Sequence, residues 1–74
     1  MITYHGFWKN DVKWGFGIET RTTDNIVGKE EVYEGMFANG FYHGIGRLKY
    51  SDGSYFYGTF RYGKKYGKTL AYDN

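Results

Sequence analysis

The sequence predicts an all-β protein: a single-layer antiparallel β-meander of about three stacked hairpins. Three observations predict it. The first is an internal repeat. Tyr4, Gly6, Trp8, Gly15 and Gly17 stand at offsets 0, 2, 4, 11 and 13, and Tyr33, Gly35, Phe37, Gly44 and Gly46 stand at the same five. Phe56, Gly58, Phe60 and Gly67 repeat four of these positions, with Thr69 at the fifth. A repeat of this length fixes architecture, because one unit cannot bury its own faces and must stack on the next. The second observation is that the segments between glycines are rich in Tyr, Phe, Trp, Thr and Ile with period-two alternation, the pattern of half-buried strands. The third is the pair of turn dipeptides Asn39-Gly40 and Asp52-Gly53, whose residues tolerate the positive φ that tight hairpins need.

Six strands follow in order, at about 2–9, 14–21, 31–38, 43–50, 54–61 and 66–72. Asn10-Asp11 and Tyr62-Gly63 occupy the place of Asn39-Gly40 in their own units, so each unit is a hairpin. Alternation sets Tyr33, Gly35 and Phe37 on one face and Glu34, Met36 and Ala38 on the other. Tyr4, Trp8, Tyr33, Phe37, Phe56 and Phe60 are expected to form one layer of rings. An isolated Gly weakens a strand. The pairs Gly15/Gly17 and Gly44/Gly46 make sense if rings from a neighbouring strand lie flat on the bare backbone.

The chain is taken as one repeat domain, residues 1–74, with units 4–32, 33–55 and 56–74. The first two units start 29 residues apart and the second pair 23. The basic period is therefore 23, with a lengthened loop between Thr20 and Val32. Insertions in repeat arrays usually map to loops. Thr69 puts a branched side chain where the pattern has Gly, so the third unit either packs less tightly or ends the array. Both ends fall on strands without the polar caps solenoids normally carry. The expectation is a fragment, or a small protein that stacks with copies of itself or with a partner.

The run Tyr33-Glu-Gly-Met-Phe-Ala-Asn-Gly-Phe-Tyr-His-Gly-Ile-Gly, followed by Tyr50-Ser-Asp-Gly-Ser, resembles a MORN repeat (membrane occupation and recognition nexus). The first unit keeps the same skeleton and the third keeps most of it. The resemblance implies an elongated, twisted antiparallel solenoid. It also implies settings in cilia and other cytoskeletal assemblies, in membrane-junction proteins, or as appendages of lipid kinases and lysine methyltransferases.

Composition bounds the function. Seventy-four residues without cysteine give one small domain with no disulfide or thiolate metal site, and fit an intracellular setting. Aromatics at 23% argue against disorder. The net charge of +2 is too small to indicate nucleic acid, but it is unevenly spread: −2 over residues 1–46 and +4 over residues 47–74. There is no apolar run of the roughly 20 residues a spanning helix needs. The opening residues have no signal-peptide pattern. The expected location is cytoplasmic or cytoskeletal, with membrane association as an alternative.

Catalytic groupings are hard to find. His5 and His43 are the only histidines, too few for a metal site without other ligands. His43 sits in the His-Gly position of its hairpin. Ser51 and Ser54 flank a turn that explains them. Glu30 and Glu31, adjacent in a strand, point to opposite faces and end a loop. No cofactor is expected and no enzyme activity.

Two residue sets are candidates for binding. Phe7, Phe16, Ile18, Met36, Phe41, Tyr42 and Ile45 are apolar positions expected off the ring layer. A single sheet cannot hide both faces, so these residues either pack across a curved sheet or meet another chain. Arg61, Lys64, Lys65 and Lys68 surround the third hairpin turn. Each cation near an anionic leaflet can contribute about 1 kcal/mol, and lysines also guard edge strands against aggregation. The leading expectation is a non-catalytic scaffold that holds a protein partner or other repeat units. The alternatives are a peripheral adaptor for anionic phospholipid, a carbohydrate-binding repeat, and an accessory domain of a larger enzyme.

Overall fold

The computed structural model describes residues 1–22 and 30–73, with side chains through residue 67. Six strands, β1 (Ile2–Lys9), β2 (Val12–Thr22), β3 (Glu30–Ala38), β4 (Phe41–Lys49), β5 (Tyr55–Arg61) and β6 (Lys64–Asp73), form one sheet in sequence order, every neighbour antiparallel. The predicted open meander is what forms. The sheet measures 34 × 30 × 15 Å.

The strands β2, β4 and β6 each begin two residues earlier than the sequence suggested, because the hairpin turns have only two residues. Asn10 and Asp11, Asn39 and Gly40, and Tyr62 and Gly63 all have positive φ, between 52° and 87°. That conformation matches the right-handed twist of flanking strands and leaves no further loop. The turns also tie units together. The Gly40 N–H donates to the Lys13 carbonyl at 3.1 Å, and the Gly63 N–H donates to the Tyr42 carbonyl at 3.0 Å. Lys13 and Tyr42 share one repeat offset, so the same lock recurs at both junctions. Between β4 and β5, the Asp52 carboxylate accepts from the Ser54 N–H at 2.9 Å and from its hydroxyl at 2.6 Å.

Gly6, Gly17, Gly35, Gly46 and Gly58 lie in one row across five strands, and Thr69 completes it on β6. A Cβ added at Gly17 would fall 2.5 Å from Tyr4 Cε1, and one at Gly46 would fall 2.5 Å from Tyr33 Cζ. Each tyrosine ring therefore lies on bare backbone. Its hydroxyl continues over the row to the next carbonyl: Tyr4 donates to Phe7 O and Tyr33 to Met36 O, both at 2.7 Å.

The other glycines of the pattern do a different job, which corrects the expectation that both members of each pair lie under rings. Gly15, Gly44 and Gly67 have φ of +79°, +85° and +73°. Register shifts fall opposite them in every hairpin, between Gly6 and Trp8, Gly35 and Phe37, and Gly58 and Phe60. They are bulge glycines, needed for a backbone conformation that L side chains resist.

The core is the ring layer: Tyr33, Phe37, Phe56 and Phe60 are buried, with Tyr4, Tyr42 and Leu48 packed against them. Edge-to-face contacts run between units at the same spacing, Tyr4 to Phe37 and Tyr33 to Phe60, each with centroids 5.1 Å apart. Trp8 departs from the expected layer. It is 58% exposed, because β1 is an edge strand and Tyr4, at 5.0 Å, covers it on one side only.

Candidate functional site

The two faces of the sheet differ. On the ring face, the residue nine positions into each unit caps that unit's first ring. The Lys13 ammonium lies 5.3 Å from the Tyr4 centroid, Tyr42 stacks flat on Tyr33 at 3.8 Å and 5°, and the Lys65 ammonium lies 4.7 Å from the Phe56 centroid. Both flat stacking and cation–π contact use the ring's negative face. Tyr42, expected off the ring layer, is thus part of it. Phe41 and Tyr42 are adjacent in β4 and must point to opposite faces, so only one of them can stand outside the layer.

Glu19 is the charged residue of this layer. It is 3% exposed, and its carboxylate meets Lys13 Nζ at 2.5 Å, Tyr42 Oη at 2.7 Å and Arg21 at 3.5 Å. Burial alone would raise its pKa. Hydrogen bonds from Lys13 and Tyr42, with the charges of Lys13 and Arg21, outweigh burial and hold it below the ordinary carboxylate value. Tyr33 and Tyr42 are pushed well above the ordinary phenol value, both mainly by burial, and for Tyr42 also by its bond to the Glu19 carboxylate. Sequence analysis missed Glu19, although alternation from Gly17 puts it among the rings. The arrangement is fully bonded: no buried side-chain nitrogen or oxygen lacks a partner among the described residues. It supplies stability and offers no open chemistry. Among the described residues no group of three His, Cys, Asp or Glu side chains could hold a metal ion.

The opposite face is open. A groove of about 630 Å³ crosses β2 to β5, floored by Gly35 and Gly46 and lined by Phe16, Met36, Ile45, Tyr55 and Tyr57. Glu34 and Arg47 also line it and pair across β3 and β4 at 2.8 Å. Phe16 faces Met36 across the β2–β3 ladder. Phe16, Met36 and Ile45 are between 42% and 49% exposed, and Tyr57 is 38% exposed. Large apolar side chains at these levels, gathered in one concavity, are uncommon on a surface without a partner.

Three of the seven apolar candidates, Phe16, Met36 and Ile45, meet in this groove. Ile18 adjoins it through its partner Glu34 and is half-buried. Phe7 lies over the Gly15 bulge, and Phe41 sits at the turn end against Tyr62, with centroids 6.2 Å apart. Tyr42 belongs to the other face. Tyr55 and Tyr57 were missed, although Tyr57 shares the repeat offset of Glu34. The basic candidates divide between faces. Arg61 and Lys64 are cross-strand partners beside exposed Tyr62 and Tyr66, whereas Lys65 is opposite Phe60 on the ring face. The Lys68 side chain lies outside the described residues.

An open one-layer sheet of hairpins, with periodic rings on one face and bulge glycines in each hairpin, defines a β-repeat protein. The MORN repeat family matches residues 4–26 and 33–55, and the chain belongs to that family. The third hairpin, with Phe56 and Thr69 in place of Tyr and Gly, lies outside the matched segments yet continues the same sheet. No curated protein matches the chain.

Proposed function

We propose that this protein is a non-catalytic interaction scaffold whose open face holds a segment of a partner protein. MORN repeats are common in interaction and membrane-associated proteins and are generally non-catalytic. The observation that carries the proposal is the groove of Phe16, Met36, Ile45 and Tyr57, left exposed while the ring face packs upon itself. The rigid, glycine-locked sheet presents these side chains with little entropy to lose on binding. Cytoskeletal, ciliary or membrane-associated assemblies are the settings such a scaffold serves, and other repeat units are among the partners it suits.

A photoreactive side chain placed at Phe16 tests this, with a control at Tyr62, outside the groove. Defined adducts from Phe16 that vanish when Ile45→Glu is added support the proposal. Equal labelling from both positions, or labelling indifferent to Ile45→Glu, overturns it.

A second reading, a peripheral adaptor for anionic membrane, has its own observation. Arg61 and Lys64 stand beside exposed Tyr62 and Tyr66, a mix of cations and rings suited to a lipid headgroup layer. With Lys65 on the other face and engaged with Phe56, fewer cations converge there than the sequence suggested.

A further inference from the structure

We propose that the two edges of the sheet bind each other: β1 of one copy of this chain pairs antiparallel with β6 of a second copy, head to tail, as β3 pairs with β2 and β5 with β4. This surface is separate from the groove. β1 and β6 are the edge strands, and the junctions inside the chain show what each edge fits. Both junctions have one register. Gly15 stands opposite Phe37 and Gly17 opposite Gly35 at the first, and Gly44 opposite Phe60 and Gly46 opposite Gly58 at the second. At both, the second turn residue donates its N–H to the carbonyl nine positions into the preceding unit, Gly40 to Lys13 and Gly63 to Tyr42. The two edges carry the two halves of that lock. Asp11 is the matching donor. Its turn has the same positive φ, and its N–H meets no backbone acceptor among the described residues. Lys65 is the matching acceptor. Lys13 and Tyr42 face Trp8 and Phe37 across their hairpins and send their carbonyls the other way. Lys65 faces Phe60 in the same manner, so its carbonyl points out from the edge. Gly67, with φ of +73°, repeats the bulge of Gly15 and Gly44, and gives this edge the same backbone course.

Trp8 is the side chain left over by the open edge. Phe37 and Phe60, at its repeat offset, are each 3% exposed, whereas Trp8 is 58% exposed. The difference is the preceding unit. Phe37 meets Tyr4 and Phe60 meets Tyr33 edge to face, with centroids 5.1 Å apart. In the same register, Trp8 falls opposite Gly67 and beside Phe56 of the second copy. The area gained is chiefly that of Trp8, since Phe56 is already buried. Lys65, whose ammonium lies 4.7 Å from the Phe56 centroid, does not block the approach. Lys13 holds the same place on Tyr4, and Tyr4 still meets Phe37. Nor does a lysine at that position keep a strand from pairing, since β2 contains Lys13 and is paired on both sides. A long edge strand with Ile2, Phe7 and Trp8 exposed is the kind to which another strand adds. The contact joins two different edges, so it does not close on two copies.

The test is sedimentation velocity of the whole chain and its variants from about 1 μM to about 1 mM, the range suited to a contact this small. The mass is expected to rise with concentration past two copies. In a Trp14→Phe background, where Trp8 is the one tryptophan left, its emission should move to the blue as the mass rises. Trp8→Glu is expected to weaken association at least about tenfold. An ester in place of the Asn10–Asp11 peptide, in a synthetic chain, removes the Asp11 N–H alone and should weaken it about fivefold. Trp8→Glu keeps its β6 edge, so in excess it should still cap the wild-type assemblies and shorten them. Ile45→Glu, in the groove, should change nothing. Trp8 and Ile45 are exposed, and unchanged circular dichroism of the variants shows that the fold is kept. A chain that stays monomeric throughout overturns the proposal and leaves the groove reading standing. A mass that stops at two copies also overturns it, because one edge is then pairing with itself. Association that survives Trp8→Glu, or that Ile45→Glu removes, overturns it in favour of contact through the open face.

Discussion

Gly46→Ala adds a single methyl group under the most buried ring in the protein. The new Cβ would stand 2.5 Å from Tyr33 Cζ, where carbon contacts relax only at about 3.5–4.0 Å. The ring must rise by about 1 Å. It has nowhere to go, because Tyr33 is fully buried and Tyr42 lies flat on its far side at 3.8 Å. Overpacking of this kind costs about 1–3 kcal/mol. Pulling the Tyr33 hydroxyl away from the Met36 carbonyl strands a buried polar group, a further loss of about 1–3 kcal/mol. A total near 3 kcal/mol is large against the roughly 4–11 kcal/mol expected for a chain of this size. It corresponds to a fall in Tm of about 12–24 °C. Gly17→Ala makes the matching contact with Tyr4, but Tyr4 is only half-buried on the edge strand and can swing outward. It should cost about half as much. Urea unfolding of both variants and of a Tyr4→Ala, Gly17→Ala cycle measures this. With the Tyr4 ring gone, Gly17→Ala should become nearly neutral, giving a coupling of about 1 kcal/mol or more. If Gly46→Ala costs no more than Gly17→Ala, or if the cycle is additive, rings lying on bare backbone do not explain the glycine row.

Glu19 has a folded pKa below its ordinary value of 4.5, so as pH falls through that value the unfolded state binds the proton first and stability drops; urea midpoints from pH 7 to 3 should show this loss, and Glu19→Leu should flatten it. Lys13→Leu removes the closest partner of that buried carboxylate and should cost about 2–4 kcal/mol at pH 7, while the same change at exposed Lys64 should leave the midpoint unmoved. Tyr33 and Tyr42 have folded values above the ordinary phenol value of 10.0, so stability should hold below that pH and fall above it; tyrosinate absorbance at 295 nm should lag behind that of free tyrosine until the sheet unfolds. At Gly40, where φ is +87° and nothing lies within 4 Å, L-Ala should destabilise, whereas D-Ala in a synthetic chain should stabilise by about 0.4–1 kcal/mol. In flotation with phosphatidylserine vesicles at low salt, the adaptor reading requires binding that Arg61→Glu and Lys64→Glu remove; equal flotation of the variant counts against it.

Most of the fold is legible in the sequence because its rule is periodic. Five offsets recur, and alternation turns them into strands, faces and a ring layer. Less legible is what breaks alternation. The bulge glycines Gly15, Gly44 and Gly67 have the same spacing as glycines under rings, and only their φ tells them apart. Turn length was hidden too, since Asn10-Asp11 and Tyr62-Gly63 are weaker turn pairs than Asn39-Gly40, yet all form two-residue turns. Glu19 was obscured by a general expectation that charges face water. Here three partners compensate the burial, and one of them, Tyr42, comes from the next hairpin. The groove was half legible: Phe16, Met36 and Ile45 stood out as apolar positions off the ring layer. Tyr55 and Tyr57 joined them only once the pairing of β4 with β5 brought the second and third units together.

The positions that hold the sheet together and the side chains that line the groove belong to different offsets, with Gly35 and Gly46 giving the groove only its backbone floor. Offsets 0, 2, 4, 11 and 13 carry the rings, the glycine row and the bulges, and substitutions there collide with backbone or ring. Offset 1 holds His5, Glu34 and Tyr57; offset 3 holds Phe7, Met36 and Thr59; offset 14 holds Ile18 and Arg47 in the first two units. These side chains stand on the open face, where they are half-buried or exposed. Even the buried offset 15 differs, with Glu19 making the first junction ionic and Leu48 making the second apolar. The repeat therefore separates scaffold from surface. One set of offsets repeats because packing requires it, and the other differs from unit to unit because packing does not. A partner that reads Phe16, Met36, Ile45 and Tyr57 reads residues that the fold itself leaves free, so recognition by this face can change without the sheet changing. By the same argument, Ile45→Glu should abolish partner binding while shifting the urea midpoint little, and Gly46→Ala, one residue along the same strand and with its new methyl on the ring face, should do the reverse in kind: a large loss of stability with the groove's side chains unchanged.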